Sequence, residues 1–437
     1  MLLQQYYNEM INRSIAPDIK EPVEFEIKLP AVQNFVLSNG VAVYALDMGQ
    51  EPTLQINWVF YAGNWHEDKK TVAAATNFLL KNGTSTRTAF EINEHFEYFG
   101  AYLNRSCYTE TSELTLHCMN KHIQELIPVV SELITDSIFP EEELKIYVQN
   151  AQQRLKVGLL KSDFVAGRLI DAQLFGKDHP YGRYSMPEDY NNLTCDDLRN
   201  FFEQHYKQGK LVIFVSGQIP SELPALLEKY FGSLPLKHHQ TKGTEKIFSF
   251  EPATEKKSFI LNDEQGVQAA IRIARPFPGR HHPDFQKANL LNNIFGGFFG
   301  SRLMANIRED KGYTYGIYSY IMNHMRDTAW IISTEAGRDV CQPTIEEIYK
   351  EMQIIREEPI DAEELQIARN YMMGSLLGDL DGPFQVMGRW RNLILNELEE
   401  SYFYNGIQVI KTTPVEELQE LAKKYLNPED FYELVVV

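Results

Sequence analysis

No apolar run in this sequence approaches the ~18 residues that a membrane-spanning helix needs, so no membrane association is expected. Cysteine is scarce. Cys107, Cys118, Cys195 and Cys341 are scattered, with no CxxC pair and no metal-like spacing, and read as reduced thiols of a cytoplasmic protein. The opening stretch, MLLQQYYNEMINRSIAPDIK, lacks the cationic flank and apolar core of a secretory leader, which points the same way. Basic residues are outnumbered, 42 Lys and Arg against 60 Asp and Glu. The net charge of −18 argues against nucleic acid, which would want a basic stripe. Catalytic signatures are missing too: there is no HExxH or HxxEH, no GxSxG elbow and no GxxxxGK[ST] loop. His66, His117 and His179 have no histidine or glutamate partner at ligand spacing, and read as surface or strand residues.

What is present is a soluble, globular composition, 43% hydrophobic and 23% charged, in 437 residues, too many for one ordinary core. FVLSNGVAVYALD (35–47) predicts two strands around an Asn-Gly turn, and TLQINWVFYAG (53–63) a third strand. A helix is predicted from about Thr71 to Lys81, and another over 88–100 that ends on Gly100. Residues 113–119 alternate as a strand, 121–139 and 140–160 read as amphipathic helices, and 210–217 as a buried strand. Residues 236–256 are polar and read as a linker. Beyond it the order repeats: a strand at 268–277, helices to 310, strands at 313–321 and 329–337, long helices to 378, and a closing strand at 430–437. The expected fold is therefore α+β, with two copies of one unit. In each copy, helices pack on one face of a mostly antiparallel sheet. The units span 30–235 and 257–437, after an arm of residues 1–29.

One stretch asks for more, GGFFGSRLMANIREDKGYTYG at 296–316. It sits between helices and lacks the lysine and spacing of a phosphate loop. Arg308 falls late in a predicted helix, Gly312 breaks it and Tyr315 opens the next strand, so the two side chains could converge. They offer a guanidinium and a phenol for a carbonyl or a developing oxyanion. The bland alternative is that Arg308 serves the helix C-terminus and Tyr315 fills the core.

Residues 282–319 together with FVLSNGVAVYALD, YAGNWHED, LLKNGTSTRT, FPEEELKIYVQNAQQRL and LFGKDHPYGR resemble the M16 zinc peptidases, the pitrilysin, insulinase and mitochondrial-processing-peptidase type. The resemblance runs from about residue 30 to 437. It implies an HxxEH motif just before Gly83-Thr84, two histidines for zinc and a glutamate as base. The matching positions here are Ala74, Asn77 and Phe78, and 71–90 contains neither His nor Glu. The third zinc ligand is implied to be a glutamate on a later helix, where this chain has Asn150, Gln152 and Gln153. No metal site is expected in this chain.

The family's Arg and Tyr do have counterparts, Arg308 and Tyr315. The resemblance thus implies a non-catalytic, substrate-binding subunit, inactive alone. An HxxEH-bearing partner would hold the zinc in a heterodimer that acts on unfolded peptides. The glycines Gly296 and Gly297 are expected to form an exposed turn against the cleft, admitting a peptide backbone. The alternative is an inactive structural or peptide-binding homologue with no peptidase partner.

Overall fold

The computed structural model describes residues 20–236 and 248–437, so most of the expected arm and part of the expected linker lie outside the described residues. The strands are β1 (Gln33–Val36), β2 (Ala42–Asp47), β3 (Thr53–Phe60), β4 (Tyr102–Cys107), β5 (Ser112–Met119) and β6 (Leu211–Gly217), then β7 (Lys257–Ile260), β8 (Gln268–Phe277), β9 (Thr314–Asn323), β10 (Thr328–Gly337) and β11 (Tyr432–Val436). They form two sheets, ordered β1-β2-β6-β3-β5-β4 and β7-β11-β8-β10-β9.

The two sheets have one topology. In the first, β2 runs parallel to β6, and β6, β3, β5 and β4 follow antiparallel. In the second, β7 runs parallel to β11, and β11, β8, β10 and β9 follow antiparallel. Strand β1 is an extra hairpin partner of β2. The α+β class and the duplicated unit expected from the sequence are thus present. Strand β4 was not predicted. It is an edge strand whose exposed Tyr102 and Asn104 flank a single buried Leu103, too short an alternation to read.

The expected helix before Gly83-Thr84 is Val72–Leu79, and the next, Ala89–Tyr98, is opened by a reciprocal capping box between Thr88 and Glu91. Each sheet packs such helices on one face, around Trp58, Phe60 and Leu116 in the first half and Ile273, Trp330 and Ile348 in the second.

The opposite face of each sheet is covered by the other half of the chain. The Ser162–Phe175 helix puts Ala166, Ile170 and Leu174 against Ala270, Ala274 and Leu434 of the second sheet. In return the Pro383–Leu395 helix packs Val386, Met387 and Leu393 on Leu46, Val59 and Phe214 of the first. Burying an apolar side chain of this size is worth about 1.5–3 kcal/mol, so the exchange makes each half a structural part of the other's core.

Candidate functional site

Arg308 lies in the Met304–Asp310 segment, a helix widened to π spacing in which the Lys311 N–H reaches the Asn306 carbonyl at 3.0 Å. Gly312 ends it with φ +67, a left-handed turn that glycine adopts without strain. The segment is held from behind, because the Asn306 amide donates to Glu347 at 2.9 Å and Glu351 at 2.7 Å on the Cys341–Glu357 helix.

Tyr315 follows on β9. Residue parity alone would turn it inward with the buried Ile317, Ser319 and Ile321. However, Ile317 pairs with Thr334 and Thr314 with Ala336, so β9 carries one extra residue there, a β-bulge. The bulge turns Tyr315 outward, and its side chain is 93% exposed. Thr314 Oγ1 accepts the Gly316 N–H at 3.1 Å and Thr334 Oγ1 donates to the Gly316 carbonyl at 2.9 Å, which satisfies the disturbed backbone. Tyr315 therefore does not fill the core.

The two side chains meet. The Arg308 guanidinium carbon lies 5.5 Å from the Tyr315 ring centroid and 4.6 Å from that of Phe299. Contacts of this kind contribute about 0.5–1 kcal/mol each when exposed, and they hold the cation beside the two rings. Its in-plane N–H fork is left over, and among the described residues no carboxylate or carbonyl pairs with it. The arrangement can hold an oxygen acceptor from the guanidinium edge, with the Tyr315 hydroxyl as a second donor.

Phe299 was missed by sequence reasoning. Its neighbour Phe298 stacks on Tyr371 at 4.6 Å, and Arg302 makes a two-pronged pair with Glu364 at 2.7 and 2.8 Å. Both partners lie on the Ala362–Gly378 helix, so the turn is pinned on either side of Phe299, which stays exposed. Adjacent phenylalanines in a polar turn were the only signal.

The expected exposed glycine turn is corrected. Gly296 is buried at the end of the Asn293–Gly297 segment. A Cβ there would lie 2.6 Å from Ser319 Cβ and 2.9 Å from the Ser319 backbone nitrogen. The close approach that this glycine permits is to strand β9, not to a ligand. Gly297 is half-buried, and a Cβ there would meet Asn293 Nδ2 at 3.1 Å and the Asn292 carbonyl at 3.2 Å.

At the positions that the resemblance assigns to zinc, the side chains do not suit a dication. Phe78 packs on Tyr147 of the Glu141–Leu159 helix with ring centroids 5.1 Å apart, and the Arg105 guanidinium lies 4.5 Å over the Phe78 ring. Asn77 is spent on the Glu113 carbonyl at 3.3 Å and the Tyr206 hydroxyl at 3.2 Å. Gln152 donates to the Pro187 carbonyl and Asn191 Oδ1, each at 2.8 Å, while Asn150 and Gln153 are exposed. Among the described residues no three His, Cys, Asp or Glu side chains gather as a metal would need. An aromatic contact and a cation occupy the place where the resemblance implies ligands.

The remaining candidates are inert. Burial pushes the Cys107 and Cys118 thiols up to about 12, and Cys195 and Cys341 are raised in the same way, so none is an activated thiolate. His179, expected at the surface or in a strand, is buried among Trp65, Phe175 and Tyr181.

Glu67 is one of two acids of the first half that burial perturbs strongly. It is buried, accepts the Ala73 N–H at 3.2 Å at the start of the Val72–Leu79 helix, and lies 3.2 Å from Arg183. Burial, only partly offset by Arg183, raises its carboxyl from 4.5 to about 7. The folded state then holds a proton that the unfolded state has lost between those two values, so stability falls as pH rises from about 4.5 to 7 and is level above. The contribution is at most about 3 kcal/mol. Glu67→Gln should flatten that part of the curve, measured by urea unfolding at several pH values. Asp171, also raised to about 7 by burial, keeps its own slope in both proteins. An unchanged curve in the variant would assign the slope elsewhere.

Residues 192–372 match the family model described as the peptidase M16 inactive domain. The chain is 26% identical over 365 residues to an uncharacterized zinc protease, YmxG, of Bacillus subtilis, covering 82% of this chain and 87% of that protein. It is 24% identical over 394 residues to a Helicobacter pylori protein named a non-peptidase homolog, covering 85% of this chain and 84% of that one. Among solved structures, a peptidase M16 inactive domain from Pseudomonas fluorescens superposes with a TM-score of 0.82 at 21% identity, over 93% of this chain and 98% of that one.

Proposed function

We propose that this chain, a homologue of the M16 peptidases, is the non-catalytic, substrate-binding subunit of a two-chain cytoplasmic zinc peptidase that acts on unfolded peptides. The observation that carries the reading is the Arg308 guanidinium held over the rings of Phe299 and a bulge-projected Tyr315, with no carboxylate or carbonyl paired to it among the described residues. A structural helix end would need neither the exposed tyrosine nor the open cation. In this reading Arg308 and Tyr315 reach the active cleft of a partner subunit that carries HxxEH. There they bind the scissile carbonyl and stabilise the charge that develops on its oxygen. The metal and the general base belong to the partner. Strand β9 ends its sheet, so its outer edge offers backbone groups to an extended peptide beside Tyr315, Tyr318 and Tyr320.

The test is affinity isolation from the native source, with metal analysis of the chain purified alone. A co-purifying subunit of similar size bearing HxxEH is expected, and the isolated chain should hold no stoichiometric zinc and cleave no peptide. One tightly held zinc per chain, or cleavage by the chain alone, would overturn the reading. Recovery of the chain with no peptidase partner would favour an inactive peptide-binding or structural homologue.

A further inference from the structure

A pocket of about 270 Å³ lies where the two halves meet, away from the residues used above. It is formed by the 278–282 loop after β8, the 324–326 turn between β9 and β10, and Asn396 beyond the Pro383–Leu395 helix. Its chemistry runs against the rest of the chain. In a protein of net charge −18, the polar lining consists of Arg280, His281, His282, His324, Arg326 and Asn396, with no carboxylate.

These groups are held in place, and two are left wanting. Arg280 Nη1 donates to Asn392 Oδ1 at 2.7 Å, while its Nε is buried without a partner. His324 lies flat on Tyr181 of the first half, ring centroids 3.9 Å apart at 8°, and its Nε2 is buried without a partner. The Arg326 guanidinium sits 4.5 Å over the Trp65 ring. His282 Nδ1 accepts the Asp284 N–H at 3.1 Å, and the His281 Nε2 is 3.2 Å from the Asn396 carbonyl. Buried nitrogen groups without partners are costly, and although Trp58, Arg183, Arg302, Arg338 and Arg356 also carry one each among the described residues, two share this pocket. An acceptor in the pocket would satisfy the Arg280 Nε–H, and the His324 Nε2 as well when that nitrogen carries its proton.

We propose that this pocket binds a small oxyanion, phosphate or carboxylate in form, at the junction of the two halves. The volume accommodates such a group with a few waters, since a water occupies about 30 Å³ of liquid, and excludes a folded partner. An unfolded peptide could offer its terminal carboxylate or an Asp or Glu side chain. The inference does not depend on the peptidase reading.

The site should respond to pH through His324. Burial and His179 disfavour its charged form, and Glu110 and Asp327 favour it. Tyr181 stacks on it, and Arg280, His281, His282 and Arg326 share the pocket. Burial dominates, so His324 is held below the ordinary histidine range. A bound anion adds an opposite charge, so binding takes up a proton and tightens as pH falls.

The experiment uses the full chain with its histidines labelled by nitrogen-15. Inorganic phosphate is titrated against chloride at constant ionic strength, at pH 6 and pH 8, and calorimetry gives the stoichiometry. Saturable binding at one site per chain is expected, with movement of the His324 resonances and tighter binding at pH 6. Arg280→Gln should weaken binding about 10-fold or more. His324→Gln should reduce the pH dependence by the share that its proton uptake contributes, with both variants checked for an unchanged melting temperature. An acetylated dipeptide with a free or an amidated C-terminus separates a carboxylate ligand from phosphate. If neither phosphate nor the free-acid dipeptide saturates the chain, or if binding leaves His324 unmoved, the proposal fails. The His324 readout is made on the unmutated protein and stands even if Arg280→Gln does not fold.

Discussion

Tyr315→Phe should, on the proposed reading, slow peptide turnover by the chain reconstituted with its zinc-bearing partner roughly 10- to 150-fold, the equivalent of one lost hydrogen bond to charge of about 1.5–3 kcal/mol. The change removes a hydroxyl and leaves the ring that faces Arg308, and since the side chain is 93% exposed the fold should not notice. Arg308→Ala should cost at least as much. The double variant should lose less than the sum, because both groups act on one oxygen. Phe299→Ala takes away one face of the cation's support. It should have a smaller effect, one that Phe299→Tyr restores, as expected of a positioning residue. Zinc content and subunit association should stay constant throughout. The measurement is turnover by the mixed subunits, with melting curves alongside. Full turnover in Tyr315→Phe would reduce the pair to a feature of the helix end.

Gly296→Val should act on the fold before it acts on any substrate. The first added carbon would sit 2.6–2.9 Å from Ser319 and 2.8 Å from Leu303 Cδ1; the leucine end can swing aside, but the Ser319 backbone nitrogen cannot. Ser319 is also a hub: its hydroxyl donates to Asn292 Oδ1 at 2.6 Å and accepts the Trp330 indole N–H at 2.8 Å. Overpacking of this kind costs about 1–3 kcal/mol, and displacing Ser319 adds the loss of buried hydrogen bonds at about 1 kcal/mol each. A melting temperature lower by roughly 3–10 °C is expected. Gly297→Ala, whose Cβ meets its neighbours at 3.1–3.4 Å, should lose less. A Gly296→Val protein with normal melting and impaired peptide binding would instead restore the glycine to the binding surface.

These expectations separate what the linear chain contains from what folding adds. The sequence by itself determined the duplicated α+β unit, because strand and helix periodicities are local and recur in the same order on both sides of the polar segment. It also excluded the family's zinc motif, since a stretch without His or Glu cannot supply those ligands whatever its conformation. The placement of Arg308 before a glycine stop and Tyr315 after it was legible for the same reason: a helix end is a local event, and Gly312 marks it.

Only the tertiary structure decided the rest. Strand parity would have buried Tyr315, and the bulge that exposes it is defined by pairing with β10, a partner that no local pattern names. Gly296 looked like a surface turn until β9 was placed against it. Neither the Ser162–Phe175 nor the Pro383–Leu395 helix was read from the sequence, the first because its apolar residues lie on no single face, and nothing in either segment says that it belongs to the sheet of the opposite half. The cationic pocket likewise draws His324, Arg280 and Asn396 from segments more than forty residues apart in the chain. Hydrophobic burial is non-directional, so a sequence specifies which faces must be covered, and only the folded chain settles what covers them.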